Sequence, residues 1–138
     1  MAKQNSILIV DDDREDHFIL QEYFSDVNLS HCLQFSPNGK AALELLDGLP
    51  NDDLPEVIVL DLNMPLLNGT QTLLQLKRSP RYKAIPVVIY STSENESDKR
   101  KCLSYGAADF LIKPSSYEAG MKIVDYLISI VRLDSREP

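Results

Sequence analysis

The chain has 138 residues, with 14 Lys and Arg against 21 Asp and Glu for a formal charge of −7, and 43% of them are hydrophobic. A chain of this length buries roughly two thirds of the surface its unfolded form exposes, so it holds a core without disulfides or a structural metal. The acidic balance repels nucleic acid and anionic membranes, so neither is expected as a partner.

The N-terminal residues 1–6 lead into only four apolar positions, Ile7 to Val10, too few for a signal-peptide core or a membrane span, so the protein is expected in the cytoplasm. Residues 7–10 form the first predicted strand. The acids that follow open a helix over 14–27, where Leu20, Tyr23, Phe24 and Val27 make one apolar stripe. Leu33 and Phe35 mark a second strand, followed by a helix over 40–46 and a loop from Pro50 to Pro55. Val57 to Leu60 form a third strand, Asn68-Gly69 a turn, and residues 70–78 a third helix. Residues 87–90 form a fourth strand, and Ser93-Glu94-Asn95-Glu96 has the form of a capping box opening a helix over 95–105. The last pair is a strand at 110–112 and a helix over 117–132. Cys32 and Cys102 belong to no metal-spaced cluster and are expected as reduced thiols.

Three of the strands are continuously apolar and rich in Val and Ile, the pattern of parallel strands covered on both faces. Five such strands alternating with five helices specify a doubly wound α/β domain, since right-handed crossovers put helices on both sides of the sheet. The predicted domain spans 6–132, with flexible termini at 1–5 and 133–138.

In such sheets ligands bind beyond the carboxyl ends of the strands. The first strand ends in Asp11-Asp12-Asp13, with Glu15 and Asp16 just beyond, five acids in six positions. Divalent cations with oxygen ligands relieve such repulsion. The helix macrodipole accounts for Asp13, Glu15 and Asp16 without a ligand, but poorly for the adjacent Asp11 and Asp12. Asp61, Ser91 and Lys113-Pro114 end the third, fourth and fifth strands. Carboxylates, a hydroxyl and an ammonium at one edge are the parts of a phosphoryl-transfer site. A nucleotide site fits less well, because the first strand lacks a Gly-rich turn and no G-x-x-x-x-G-K-[ST] occurs.

These motifs, Ile7 through Asp12, Val57 through Pro65, Pro86 through Ser91, Tyr105-Gly106-Ala107 and Lys113-Pro114, resemble in order and spacing those of response-regulator receiver domains. The resemblance covers about 6–132 and implies a flavodoxin-like (βα)5 three-layer sandwich with a parallel sheet of order 2-1-3-4-5. It implies a stand-alone switch of the chemotaxis-regulator type in two-component signalling, not an enzyme acting on other substrates. Asp61 would accept a phosphoryl group from a sensor histidine kinase or a histidine phosphotransfer protein. Asp12, Asp61 and the backbone carbonyl of Asn63 would ligate Mg²⁺, with Asp11 reaching it through water. Lys113 would pair with the phosphoryl group, Ser91 would hydrogen-bond it, and Phe110 would turn inward when Ser91 moves. Asn63 and Ser93 take the variable positions that tune phosphoryl lifetime, and the Lys113-Pro114 bond would be cis. Ser91 is the less common hydroxyl, Thr92 follows where a smaller residue is frequent, and Ser115 replaces a frequent aromatic. With no output domain expected after the last helix, output would come through partner contact or onward relay.

Two alternatives stand beside this one. A haloacid-dehalogenase-type Mg²⁺ phosphatase also uses an Asp nucleophile, but needs an acid two positions on, where Asn63 stands. A degenerate receiver would keep the fold and act without phosphorylation. His17 and His31 read as solvated or half-buried, and Lys99-Arg100-Lys101 as a solvated helix face. On the last helix, Met121, Val124, Ile128 and Val131 form one apolar stripe, and Ile123, Leu127 and Ile130 form another beside it. The second stripe suggests a homodimer or partner interface through the fourth helix, fifth strand and fifth helix, or else packing against the fourth helix.

Overall fold

Short runs of branched apolar side chains build the strands β1 (Ile7–Val10), β2 (Leu33–Ser36), β3 (Val57–Leu60), β4 (Val87–Ser91) and β5 (Asp109–Ile112) of a computed structural model that describes residues 3–64 and 67–131. Helices α1 (Arg14–Ser25), α2 (Gly39–Asp47), α3 (Gly69–Arg78), α4 (Glu96–Ser104) and α5 (Tyr117–Ile130) alternate with them. All pairings are parallel and the order is β2-β1-β3-β4-β5, as the resemblance to receiver domains implies. The strand order reverses between β1 and β3, which lie side by side with Ile7 opposite Val57 and Val10 opposite Leu60. Ligands of doubly wound sheets bind at this reversal, and here Asp11 and Asp61 follow the two strands. Met1, Ala2, Pro65, Leu66 and residues 132–138, including the expected C-terminal tail, lie outside the described residues.

Alternation along the strands divides the core. Leu8, Val10, Ile58, Leu60, Val87, Ile89 and Phe110 face one side and pack with Ala42 and Leu46 of α2, Leu73 and Leu76 of α3 and Cys102 of α4. Ile7, Ile9, Val57, Val59, Val88 and Tyr90 face the other and pack with Leu20 and Phe24 of α1 and Ile123, Val124 and Leu127 of α5. Continuously apolar strands are the consequence of covering both faces.

This layering corrects the reading of α5. Ile123 and Leu127 are buried in the domain's own core, and Ile130 is half-buried against the same cluster, so this stripe is not an open interface. The helix beside α5 on its sheet face is α1, not α4, and the two cover the arc that the sheet alone would leave exposed. Gly120 permits the approach: a Cβ there would lie 2.2 Å from the Tyr23 ring. Tyr117 packs edge-on against Tyr23 and donates a 2.7 Å hydrogen bond to Asp26.

The start of α4 is a second correction. Its N-cap is Asn95, whose side chain accepts from the Ser97 amide at 2.7 Å, so the capping box at Ser93 does not form. Asn caps as well as Ser does, and the position nearer the helix prevails. Ser93 Oγ instead accepts from the Asn95 amide and donates to Asp98 at 2.9 Å. Lys99, Arg100 and Lys101 are exposed on α4, the solvated face expected. No helix among the described residues is long and apolar enough to cross a membrane.

Candidate functional site

The ladder of the sheet continues one residue past β1 and β3: the Asp11 amide donates to Ser36 O at 3.0 Å and the Asp61 amide to Val10 O at 2.9 Å. Both carboxylates are therefore fixed by backbone pairing and both are buried, whereas Asp12 is exposed. Asp11, Asp12 and Asp61 each bring a carboxylate oxygen into one cluster spanning no more than 4.8 Å. Gly69, the first residue of α3, backs the Asp61 loop so closely that a Cβ would stand 2.3 Å from the Asp61 carbonyl oxygen and 2.6 Å from Leu62 Cα. Only a residue without Cβ lets the helix start there.

Lys113 enters from β5, where its amide donates to Ser91 O at 2.8 Å. Its ammonium lies 2.6 Å from Asp16 Oδ2, 3.0 Å from Asp11 Oδ2 and 3.6 Å from Asp61 Oδ1, and 5.6 Å from the centre of the Tyr90 ring. The structure thus places Asp11, Asp12, Asp61 and Lys113 together at this edge. The Asn63 amide donates to the Asp61 carboxylate, which keeps the β3–α3 loop against the site.

Burial dominates the electrostatics. It lifts the Asp61 carboxyl to about 6, helped by the charges of Asp11 and Asp12 and opposed by Lys113 and the Asn63 amide. Burial also lifts Asp11, against the Asp13 amide and Lys113. For Lys113 burial works against the charge, but the Asp16 and Asp11 carboxylates outweigh it and hold the ammonium above the usual lysine range.

Ser91 is wholly buried at the end of β4, and its Oγ accepts from the Ser93 amide at 3.1 Å. Phe110 lies on the opposite face of the sheet from Tyr90, already buried, and lines an open cleft of about 270 Å³ with Glu94, Asn95, Glu96, Lys99 and Ile112. The described residues contain no cis peptide, so the expected cis bond before Pro114 is absent and the chain keeps the trans form that X-Pro bonds favour by about 0.5–1 kcal/mol.

Three further residues at this edge carry no role in the sequence reading. Asp16, read as a helix-start acid, is the nearest partner of Lys113. His17, read as solvated or half-buried, is half-buried, donates from Nε2 to the Asp11 carbonyl oxygen at 2.6 Å and stacks on Phe35 with ring centres 4.7 Å apart. Tyr90, read only as a strand residue, lies beneath the ammonium. Local pattern misdirects at Asp16: three residues after the N-cap Asp13 a carboxylate is placed to reach back over the helix start, whereas its partner Lys113 is 97 positions away.

A hard divalent cation fits this donor set, because three carboxylate oxygens converge, and the charges of Asp11 and Asp12 add to the burial that raises Asp61.

The family model described as "Response regulator receiver domain" matches residues 7–125. A probable methanogenesis regulatory protein, FilR2 of Methanothrix harundinacea, is 36% identical over 115 residues, 81% of this chain and 74% of its own length. Response regulator Rcp1 of Synechocystis is 37% identical over 95 residues, 67% of this chain and 65% of its own length. A Mn²⁺-bound form of response regulator Rcp1 superposes with a TM-score of 0.79 at 29% identity, covering 92% of this chain and 96% of that one. A phosphorylated cyanobacterial phytochrome response regulator, RcpA, superposes with a TM-score of 0.77 at 29% identity, covering 88% and 89%.

Proposed function

The chain belongs to the response-regulator receiver family, and on that footing we propose that Asp61 is its phosphoacceptor, charged by a histidine kinase or a histidine phosphotransfer protein. The observation that carries this assignment is the convergence of Asp11, Asp12 and Asp61 within 4.8 Å, with the Lys113 ammonium 3.6 Å from Asp61 Oδ1. An oxygen of the Asp61 carboxylate attacks phosphorus, the bond to the donor imidazole nitrogen breaks, and an aspartyl phosphate forms. Asp11, Asp12, Asp61 and the Asn63 carbonyl would hold Mg²⁺, which when bound supplies the positive charge that lets an anionic nucleophile meet an anionic phosphoryl group. Lys113 neutralises a phosphoryl oxygen from the other side, and the Ser91 hydroxyl is the partner that draws the β4–α4 loop toward it. Phe110 fills the space behind that loop. Ser93, tied to Asp98, and Asn63 flank the group and govern its exposure to water.

The phosphatase alternative draws no support, since Asn63 stands where it needs an acid. We assign the changed surface to α4 and β5, where Leu103 is exposed on α4 and Ile112 is exposed at the Phe110 cleft, and the setting to the cytoplasm. Incubation with a radiolabelled small acyl phosphate and Mg²⁺ tests the assignment. Acid-labile label should accumulate on the wild type and be lost in Asp61→Asn, whereas equal labelling of the two overturns it.

A further inference from the structure

Lys113 has three ammonium donors, and the structure divides them unequally. Asp16 takes the shortest contact at 2.6 Å and Asp11 the next at 3.0 Å, while Asp61 lies at 3.6 Å, beyond good hydrogen-bond length. Yet Asp11 belongs to the cluster that suits a cation. Were Asp11 the sole anchor of the lysine, metal and ammonium would compete for it, and the lysine would be loosened when the site is loaded.

Asp16 stands outside that cluster and on a different element. A carboxylate three residues after an N-cap ordinarily folds back onto the helix's own first amides. Here the Asp13 side chain caps by accepting from the Glu15 amide, and Asp16 reaches instead across to a residue 97 positions away. Its own backbone is held to the site, because His17, the next residue, donates to the Asp11 carbonyl oxygen and stacks on Phe35. The first turn of α1 is thereby locked to the loop that bears Asp11.

We propose that Asp16 is a positioning residue for phosphoryl transfer: it keeps the Lys113 ammonium beside Asp61 while Asp11 is engaged by the metal. This rests on Asp61 being the phosphoacceptor. The acid-rich helix start then has separate duties, with Asp13 capping, Asp11 and Asp12 facing the cation, and Asp16 holding the lysine.

Labelling of Asp61 by a small acyl phosphate at saturating Mg²⁺ tests it, with initial rates compared across variants. Asp16→Asn should slow labelling about tenfold, the equivalent of roughly 1.4 kcal/mol and at the low end for a charge-assisted bond. Asp16→Glu should recover most of the rate. Glu15→Gln removes the same charge from the neighbouring, exposed position and should stay within about twofold of wild type. In a Lys113→Met background, Asp16→Asn should add no further loss. A second readout is independent of rate: with saturating Mg²⁺, the ¹⁵N signal of the Lys113 ammonium should be present in the wild type and broadened away by water exchange in Asp16→Asn, because Asp11 no longer holds the lysine. An unchanged rate in Asp16→Asn, an equal loss in Glu15→Gln, an undiminished loss in the Lys113→Met background or an unaltered ammonium signal each overturns the role of Asp16. Unlabelled wild type, or a labelled Asp61→Asn, instead overturns the assignment of Asp61 itself.

Discussion

Replacing Asp61 by Asn should stabilise the metal-free protein, and the gain should depend on pH in a defined way. Burial first, then the charge of Asp11, raises the carboxyl from the ordinary 3.8 to about 6 in the folded chain. The folded state therefore binds this proton more tightly than the unfolded one, so ionisation opposes folding. The penalty is absent below about pH 3.8, grows as pH rises through the window, and is complete above about 6. At about 1.4 kcal/mol for each tenfold change in proton affinity, the full penalty is about 3 kcal/mol. Asn is isosteric and uncharged and escapes it. For a domain of 138 residues, unfolding entropy near 2 cal/mol/K per residue converts this to a rise in Tm on the order of 10 °C. Urea titrations with a chelator present at pH 8 and pH 5 provide the assay. Asp61→Asn should gain about 3 kcal/mol at pH 8 and roughly half of that at pH 5. No gain at pH 8, or a gain that grows toward pH 5, would refute the reasoning, because desolvation of a charge would then not be what the site costs.

Mg²⁺ should raise the Tm of the wild type by binding the native state preferentially, by about 2.7 kcal/mol of stability at a hundredfold excess over its Kd. Asp12→Ala should lose most of that response and Glu15→Gln should keep it, which calorimetric scans at matched ionic strength check. Gly69→Ala drives a Cβ to 2.3 Å from the Asp61 carbonyl oxygen, so it should displace the Asp61 loop and reduce labelling more than tenfold. Leu127→Ala, in the buried arc of α5, should cost about 2–5 kcal/mol by urea titration, far more than removal of an exposed side chain.

The reversal between β1 and β3 came only with the resemblance to receiver domains, whereas the strands were legible because continuous Val and Ile runs have few other uses, and strand-end residues inherit their place from the runs before them. Asp11, Asp61, Ser91 and Lys113 all fall out of that logic. What was not legible depends on distance across the fold. The second stripe of α5 reads as surplus only if one neighbour is counted, and the sequence does not say that α1 shares its face or that Gly120 lets Tyr23 come close. The cap of α4, though not its first residue, was misplaced by two positions because Ser93 and Asn95 are both competent caps and local pattern does not rank them.

The same limit explains why acids counted along a chain say less than acids located in space. Asp11, Asp12, Asp13 and Asp16 lie within one short segment, and helix-dipole reasoning treats the last two alike. In the fold they diverge: Asp11 is buried by the sheet ladder, Asp12 projects into solvent at the rim of the cluster, Asp13 turns back onto the Glu15 amide, and Asp16 crosses to Lys113. The α1 turn takes Asp16 off the line of the strand, and this separates it from the cluster while leaving it next to the lysine. The site therefore depends on where β1 stops and α1 begins. A one-residue insertion between Asp13 and Arg14 keeps every acid but rotates α1 by about 100°, carrying Asp16 away from Lys113 and His17 away from the Asp11 carbonyl. Such a variant should retain the sheet by far-ultraviolet circular dichroism and label Asp61 more slowly than wild type, and wild-type rates from it would show that the composition of this segment, rather than its register, is what matters.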